Sequence, residues 1–303
     1  MTRAGADVPA GLADRAPRHL RLGELTMQKD QLAAGIAEGA EAEFMYAYES
    51  NAPSTATARL GITTRRVGGG VVLSMRHDVT GYWNKALGFG FAEPVTSELV
   101  ERVLGVYREE GSPGAVIQIA PSVLPRDWDD ICARHGIRAT GPWVKLACRI
   151  DDFRPGGTDL RVGSVGPDDA AEWGSIIIRG FGMPEEGLAE MIAASVGHPA
   201  FRPFAVWDGD DIVAGANLFV HGEVASLNAA ATLPAHRNRG AQSALLTARA
   251  QEAANGGCGW LVAETGEPAD GETNPSLDNM RRAGLRPLYR RQNWLWRPDE
   301  ASA

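Results

Sequence analysis

The segment with the clearest chemistry reads Leu233-Pro234-Ala235-His236-Arg237-Asn238-Arg239-Gly240-Ala241-Gln242-Ser243-Ala244-Leu245-Leu246. It joins a stretch patterned as a strand to one patterned as a helix. The first turn of a helix carries backbone N–H groups with no intrahelical acceptor, and the helix dipole favours negative charge there. Gly240 has no Cβ to keep a phosphate from the backbone, and Arg237 and Arg239 add positive charge beside the turn. These are the parts of a pyrophosphate site. The Gly-Lys-Ser/Thr ending of a Walker loop is missing, and so is the GxGxxG spacing of a dinucleotide site.

Glu264 closes the apolar run Trp260–Glu264. Burial at a strand end raises a carboxyl pKa, so Glu264 is a candidate for proton exchange. Glu223 sits in a hairpin turn and is the weaker candidate. The six histidines show no metal-ligand spacing, and no nucleophile elbow occurs. Cys132, Cys148 and Cys258 form no CxxC, so no metal is expected and the thiols suit a reducing cytoplasm. Net charge is −8 with no clustered basic face, which argues against nucleic acid. No apolar run approaches the ~18–20 residues of a membrane span. The eight tryptophans read first as core, and the scarcity of lysine (Lys29, Lys85 and Lys145) reads as composition bias.

The elements that must position these residues recur twice. In the second half, Leu160–Val165 alternates as a strand and Pro167-Asp168-Asp169 opens a helix to Gly180, with another after Pro184. Phe204–Trp207 and Ile212–Val220 form a hairpin about Asp208-Gly209, and Ala225–Leu233 follows. Gly240–Asn255 is a helix stopped by Gly256-Gly257, Trp260–Glu264 a strand, Ser276–Ala283 a helix, and Tyr289–Trp296 a final strand. The first half runs through a helix over Lys29–Tyr48 and strands at Thr57–Arg65, Val71–Arg76 and Tyr82–Gly88. A helix over Thr96–Glu109, a strand over Ala115–Ala120, a helix over Pro125–His135 and a closing strand over Pro142–Ile150 follow.

Asn84 falls where Asn228 falls, and Arg134–Arg138 falls where Arg282–Arg286 falls. Coincidence of order, spacing and type points to a duplicated α/β module with a mixed sheet. The turn-rich Asp151–Gly157 is the expected linker between domains at 19–152 and 158–298, behind a disordered tail at 1–18.

The spacing Arg-x-x-Gly-x-(Gly/Ala), here Arg237-Asn238-Arg239-Gly240-Ala241-Gln242, resembles the acetyl-CoA signature of the GCN5-related N-acetyltransferases (GNAT). The order of elements over 160–298 is similar to that family. The resemblance implies tandem GNAT-like domains, with acetyl-CoA held by the turn from Arg237 to Ser243. It implies pantetheine pairing with the backbone of Ala231, Thr232 and Leu233, and contacts from Asn274 and Asn279. It also implies a thioester near the strands that carry Asn228 and Glu264, which makes Glu264 the candidate general base or amine anchor. The tyrosine that many members use to protonate the thiolate falls at Met280, with Tyr289 a conceivable substitute. The equivalent turn in the first half, Phe89–Thr96, has no Arg and carries Glu93 and Pro94. One cofactor per chain is therefore expected, and the first half is expected to shape the acceptor pocket. Repetition of Asn228 at Asn84 favours a structural role for it. The activity implied is acetyl transfer to a primary amine of a small molecule. A protein N-terminal or lysine acetyltransferase and a lapsed CoA-binding module are the alternatives, and a homodimer is left open.

Overall fold

The computed structural model describes residues 22–298, with side chains from residue 34. The expected tail at 1–18 lies outside the described residues. The first half opens with α1 (Leu22–Ser50), α2 (Ser54–Leu60) and the hairpin β1 (Ile62–Val67) and β2 (Gly70–Met75). Then come β3 (Lys85–Leu87), α3 (Ser97–Glu110), β4 (Ala115–Gln118), α4 (Trp128–His135), β5 (Arg138–Ala139) and β6 (Trp143–Arg149). The second half runs β7 (Arg161–Ser164), α5 (Ala170–Gly180), α6 (Leu188–Ala193), β8 (Phe201–Asp208), β9 (Asp211–His221) and β10 (Val224–Thr232). It ends with α7 (Ala241–Asn255), β11 (Trp260–Gly266), α8 (Pro275–Arg282), β12 (Arg286–Arg291) and β13 (Asn293–Trp296).

Two expected strands differ. Ser54–Leu60 is a helix that buries Ala56 and Leu60, and Gly61 in the left-handed region (φ 66°) turns the chain into β1. Tyr289–Trp296 is not one strand, because β12 and β13 belong to different sheets.

Among the described residues one sheet has the order β1-β2-β3-β4-β13-β5 and the other β12-β6-β11-β10-β9-β8-β7. The closing strand of each half therefore lies in the other half's sheet. β6 runs antiparallel to β11 from Trp260↔Arg149 to Gly266↔Trp143 and is flanked on its other side by β12. β13 lies between β4 and β5 in the same way. A strand with neighbours on both sides needs no polar edge, and β6 accordingly buries Val144 to Cys148 without a break. The sheets do not divide at the linker, although the sequence does.

The largest apolar cluster joins Phe44, Met45 and Leu73 of the first half to Trp173, Ile177 and Met191 of the second. Each such side chain contributes about 1.5–3 kcal/mol on full burial, so separating the halves would expose a shared core. Among the described residues no helix is long and apolar enough to cross a membrane.

Candidate active site

Helix α7 begins at Gly240, whose φ of 78° places it in the left-handed region, and Asn238 at 64° tightens the same turn. No side chain caps the helix, and Ala244 N bonds back to Gly240 O at 3.0 Å. That leaves the N–H groups of Ala241, Gln242 and Ser243 without an intrahelical acceptor. Arg237 is exposed, and its Nε reaches Thr232 O at 3.3 Å. Arg239 is ion-paired with Asp208, which also faces His236 at 3.4 Å. The charge that Arg239 adds beside the turn is thus partly neutralised.

Gly240 also has a different reason to be glycine. A Cβ there would lie 2.4 Å from Gly157 O, because the linker runs along α7. Thr158 donates to Arg239 O at 2.6 Å, and Gly156 and Thr247 bond to one another. The bare Cα makes room for chain, and the backbone donors are what remain for a ligand.

Strands β10 and β11 pair in parallel from Val224↔Trp260 to Leu227↔Ala263, and there the pairing stops. The register of β10 against β9 slips between Asn228 and Ala231, with Ala229 at φ 49°. This bulge turns β10 away from β11. A cavity of about 480 Å³ opens between them, lined by Asn228, Ala229 and Ala230 on one strand and Glu264, Thr265 and Gly266 on the other. Gln242 of α7 and Ser276 and Met280 of α8 also face it. The backbone that lines the cavity is therefore Asn228–Ala230, and the expected Ala231, Thr232 and Leu233 are not among its lining residues. Ala231 is packed on α5 at Gly180, Thr232 pairs with Ala214, and Leu233 N is taken by Val213 O at 3.0 Å.

Asn274 borders the cavity with both ends of its amide engaged. Its Oδ1 accepts from Ser276 N and Leu277 N, and its Nδ2 donates to Thr265 and Gly266. Asn279 donates to Gln242 Oε1 at 2.6 Å and accepts from Arg282. The two asparagines fasten α8 to β11 and α7 rather than offering a free amide. Met280 lies at the cavity and has no proton to give. Tyr289 donates to Glu38 at 2.7 Å and is not among the residues lining the cavity, and burial followed by the Glu38 charge pushes its pKa up.

Glu264 lines the cavity, but it is not alone. Its Oε2 accepts from Lys145 Nζ at 3.0 Å and from Arg291. Both cations also hold Glu41, and Arg291 bonds Glu38. Three carboxylates thus share two cations, so one negative charge is in excess. Burial and the neighbouring Glu41 charge raise the Glu264 pKa against the pull of Lys145 and Arg291. Burial would raise Glu41 too, but Arg291 and Lys145 hold it well below the usual carboxylate range. Glu264 is the member of the cluster poised to exchange a proton.

Sequence reasoning missed the partners. Glu41 and Tyr48 come from α1, where nothing but helical periodicity was legible. Tyr48 donates to Asn228 Oδ1 and accepts from Asn217 Nδ2, both at 2.8 Å. Asn228 therefore differs from Asn84, which is buried and bonded to Met75 and Asp78 within its own half. Arg249 is buried against the carbonyls of Leu245, Asn217 and Asn228 with no carboxylate beside it among the described residues, and burial pushes its pKa down to about 9. Lysine scarcity was the signal available. Two of the three lysines, Lys85 and Lys145, are buried around this cavity.

A mixed sheet with a bulged strand, a parallel neighbour that diverges from it and an uncapped helix at their mouth together frame the site. Residues 176–271 match the model of the acetyltransferase (GNAT) family, and the chain carries a GNAT-family domain there. Among solved structures it is similar to a GCN5-related N-acetyltransferase from Kribbella flavida (18% identity, 80% of this chain and 94% of that one, TM-score 0.54). Another, from Sphaerobacter thermophilus, aligns at 16% identity over 78% of this chain and 76% of its own, with TM-score 0.54. A tandem GNAT protein from the clavulanic acid biosynthesis pathway aligns over 88% of this chain and 95% of its own, at 11% identity and TM-score 0.55. At these identities the likeness is one of fold, and it covers both halves. No curated protein matches the chain. A GNAT domain supports acyl transfer in general.

Proposed function

We propose that the protein is an N-acetyltransferase that moves an acetyl group from acetyl-CoA to a primary amine of a small molecule. The observation that carries this is the single cavity between the diverging β10 and β11, which reaches from Gln242 at the α7 turn to Glu264. The residues fit the donor. Backbone N–H groups of Ala241, Gln242 and Ser243, with Arg237 beside them, would hold the pyrophosphate, and the released edge of Asn228–Ala230 would take the pantetheine amides. Bound there, acetyl-CoA supplies the acetyl group as an activated thioester.

The chain's own contribution is positioning and proton movement. Glu264, raised toward neutrality, takes a proton from the incoming ammonium and so makes the amine a nucleophile. Lys145 and Arg291 fix its Oε2, and neither takes Oε1. Tyr48 and Asn228 lock α1 over the opening and limit the entry of water. As the C–N bond forms the C–S bond breaks, and the thiolate, with a thiol pKa near ~8.5, leaves without a dedicated acid at Met280. Calorimetric titration of acetyl-CoA should give one site per chain, and amines should then release CoA thiol. Absence of acetyl-CoA binding would overturn the proposal.

A further inference from the structure

The cavity that Glu264 lines is a chamber built by both halves. Its walls include Phe44 and Tyr48 of α1, Tyr82 and Trp143 of the first half, and Phe181 and Met183 after α5. Phe181 is 51% exposed, which is unusual for so large an apolar side chain. The rings of Tyr82 and Trp143 lie 6.2 Å apart at 33° to each other. Lys85 sits 3.8 Å over the first and 5.0 Å from the second, and its buried Nζ has no hydrogen-bond partner.

The carboxylates of the chamber are paired with cations. Glu41 is held by Lys145 and Arg291 and lies against Glu264, and Asn228 is held by Tyr48. Glu264 is the carboxylate that keeps an oxygen, Oε1, that neither cation takes. One such oxygen suits one ammonium group. A polycation would need several free carboxylates, and a peptide would need backbone partners that these side chains do not supply.

We infer that the acceptor is a single primary amine carried on a flat aromatic body, which stacks in the Tyr82–Trp143–Phe181 chamber while Glu264 holds the amine. This rests on the acyl-transfer reading of the same cavity. The bonds balance as they do for any amine: C–N forms, C–S breaks, and the ammonium gives up two protons. One passes through Glu264 to solvent, and the other ends on the CoA thiol.

The test is CoA release at saturating acetyl-CoA with 2-phenylethylamine, tryptamine, spermidine, kanamycin and a lysine peptide. The two aryl amines should exceed the others in kcat/KM by about 100-fold or more, the scale of several methylenes in an apolar pocket. Phe181→Ala, at a half-exposed position where folding is not at stake, should raise KM for the aryl amines by about 3–10-fold and leave kcat nearly unchanged. Preference for spermidine, kanamycin or the peptide overturns the inference, as does a preference for octanoyl-CoA over acetyl-CoA, which would make the chamber an acyl pocket. If acetyl-CoA binds but no amine releases CoA, 2-phenylethylamine binding to the CoA complex, read by tryptophan fluorescence, decides, and no binding overturns it. Failure of acetyl-CoA itself to bind would instead remove the acyl-transfer reading on which it rests.

Discussion

Helices α3 and α7 hold the same place in the two halves, each after a strand that pairs in parallel with the strand beyond the helix. Their starts differ. Thr96 caps α3 by accepting Leu99 N at 3.2 Å, while α7 has no side-chain cap. A cap of that kind is worth about 1 kcal/mol, so α7 does without a stabilisation that its counterpart has. Pro94 and Glu93 precede α3, and Glu93 is ion-paired with Arg102, whereas Arg237 and Arg239 precede α7. The space beside α3 is about 10 Å³, closed by Phe89, Val95, Leu99 and Val103, against about 480 Å³ beside α7. One copy has filled its cleft with apolar side chains and satisfied its helix; the other keeps both open. The filled copy gives stability and a wall to the open one.

The comparison treats the halves as unequal but inseparable, and the largest effect tests inseparability. A chain cut to residues 158–298 lacks β6, a strand with neighbours on both sides. It should show no cooperative unfolding by circular dichroism; a fragment that melts cooperatively and binds acetyl-CoA would show that the exchanged strand is dispensable. Next in size, Glu264→Gln should lower kcat by about 10²–10⁴. The base works deprotonated, and burial and Glu41 raise its pKa, so wild-type activity should fall with decreasing pH through a limb above the ordinary carboxylate range. That limb should vanish in the variant, and its persistence would assign the base elsewhere. Stability should change little, since the cluster carries one negative charge too many.

The difference between the two helix starts is tested by paired substitutions. Arg237→Glu should weaken acetyl-CoA by about 30-fold, the scale of ~2 kcal/mol for a lost charge-assisted bond. Glu93→Arg should create no second site, because the cleft beside α3 stays filled and Thr96 still caps the helix; a stoichiometry of two would mean that charge alone separates the copies. The smallest effect concerns the seam. Tyr48→Phe leaves Asn228 and Asn217 without their shared partner, so chemical denaturation should show a loss of about 1–3 kcal/mol. An unchanged midpoint would mean that this contact does not join the halves.

Local patterns made much of this legible. The duplication, the helix at 241, the Arg-Gly turn and the strand that carries Glu264 all follow from neighbours in sequence, although that strand runs on to Gly266. Helix starts, turn glycines and apolar periodicity are short-range physics, and the sequence by itself determined them. Position in the tertiary structure decided the rest. Whether β6 closes its own sheet or the other one depends on which edge is free once both sheets form, and no local pattern records that. The slip of β10 at Asn228 moved the cavity's backbone three residues from where counting put it, since a bulge is set by both strands together. Asn274 and Asn279 became fasteners because Gln242, Thr265 and Gly266 lay within reach. Glu264 gained its character from Glu41, Lys145 and Arg291, residues far apart in sequence. A pKa depends on distance in space and on burial, and the chain order fixes neither until it is folded.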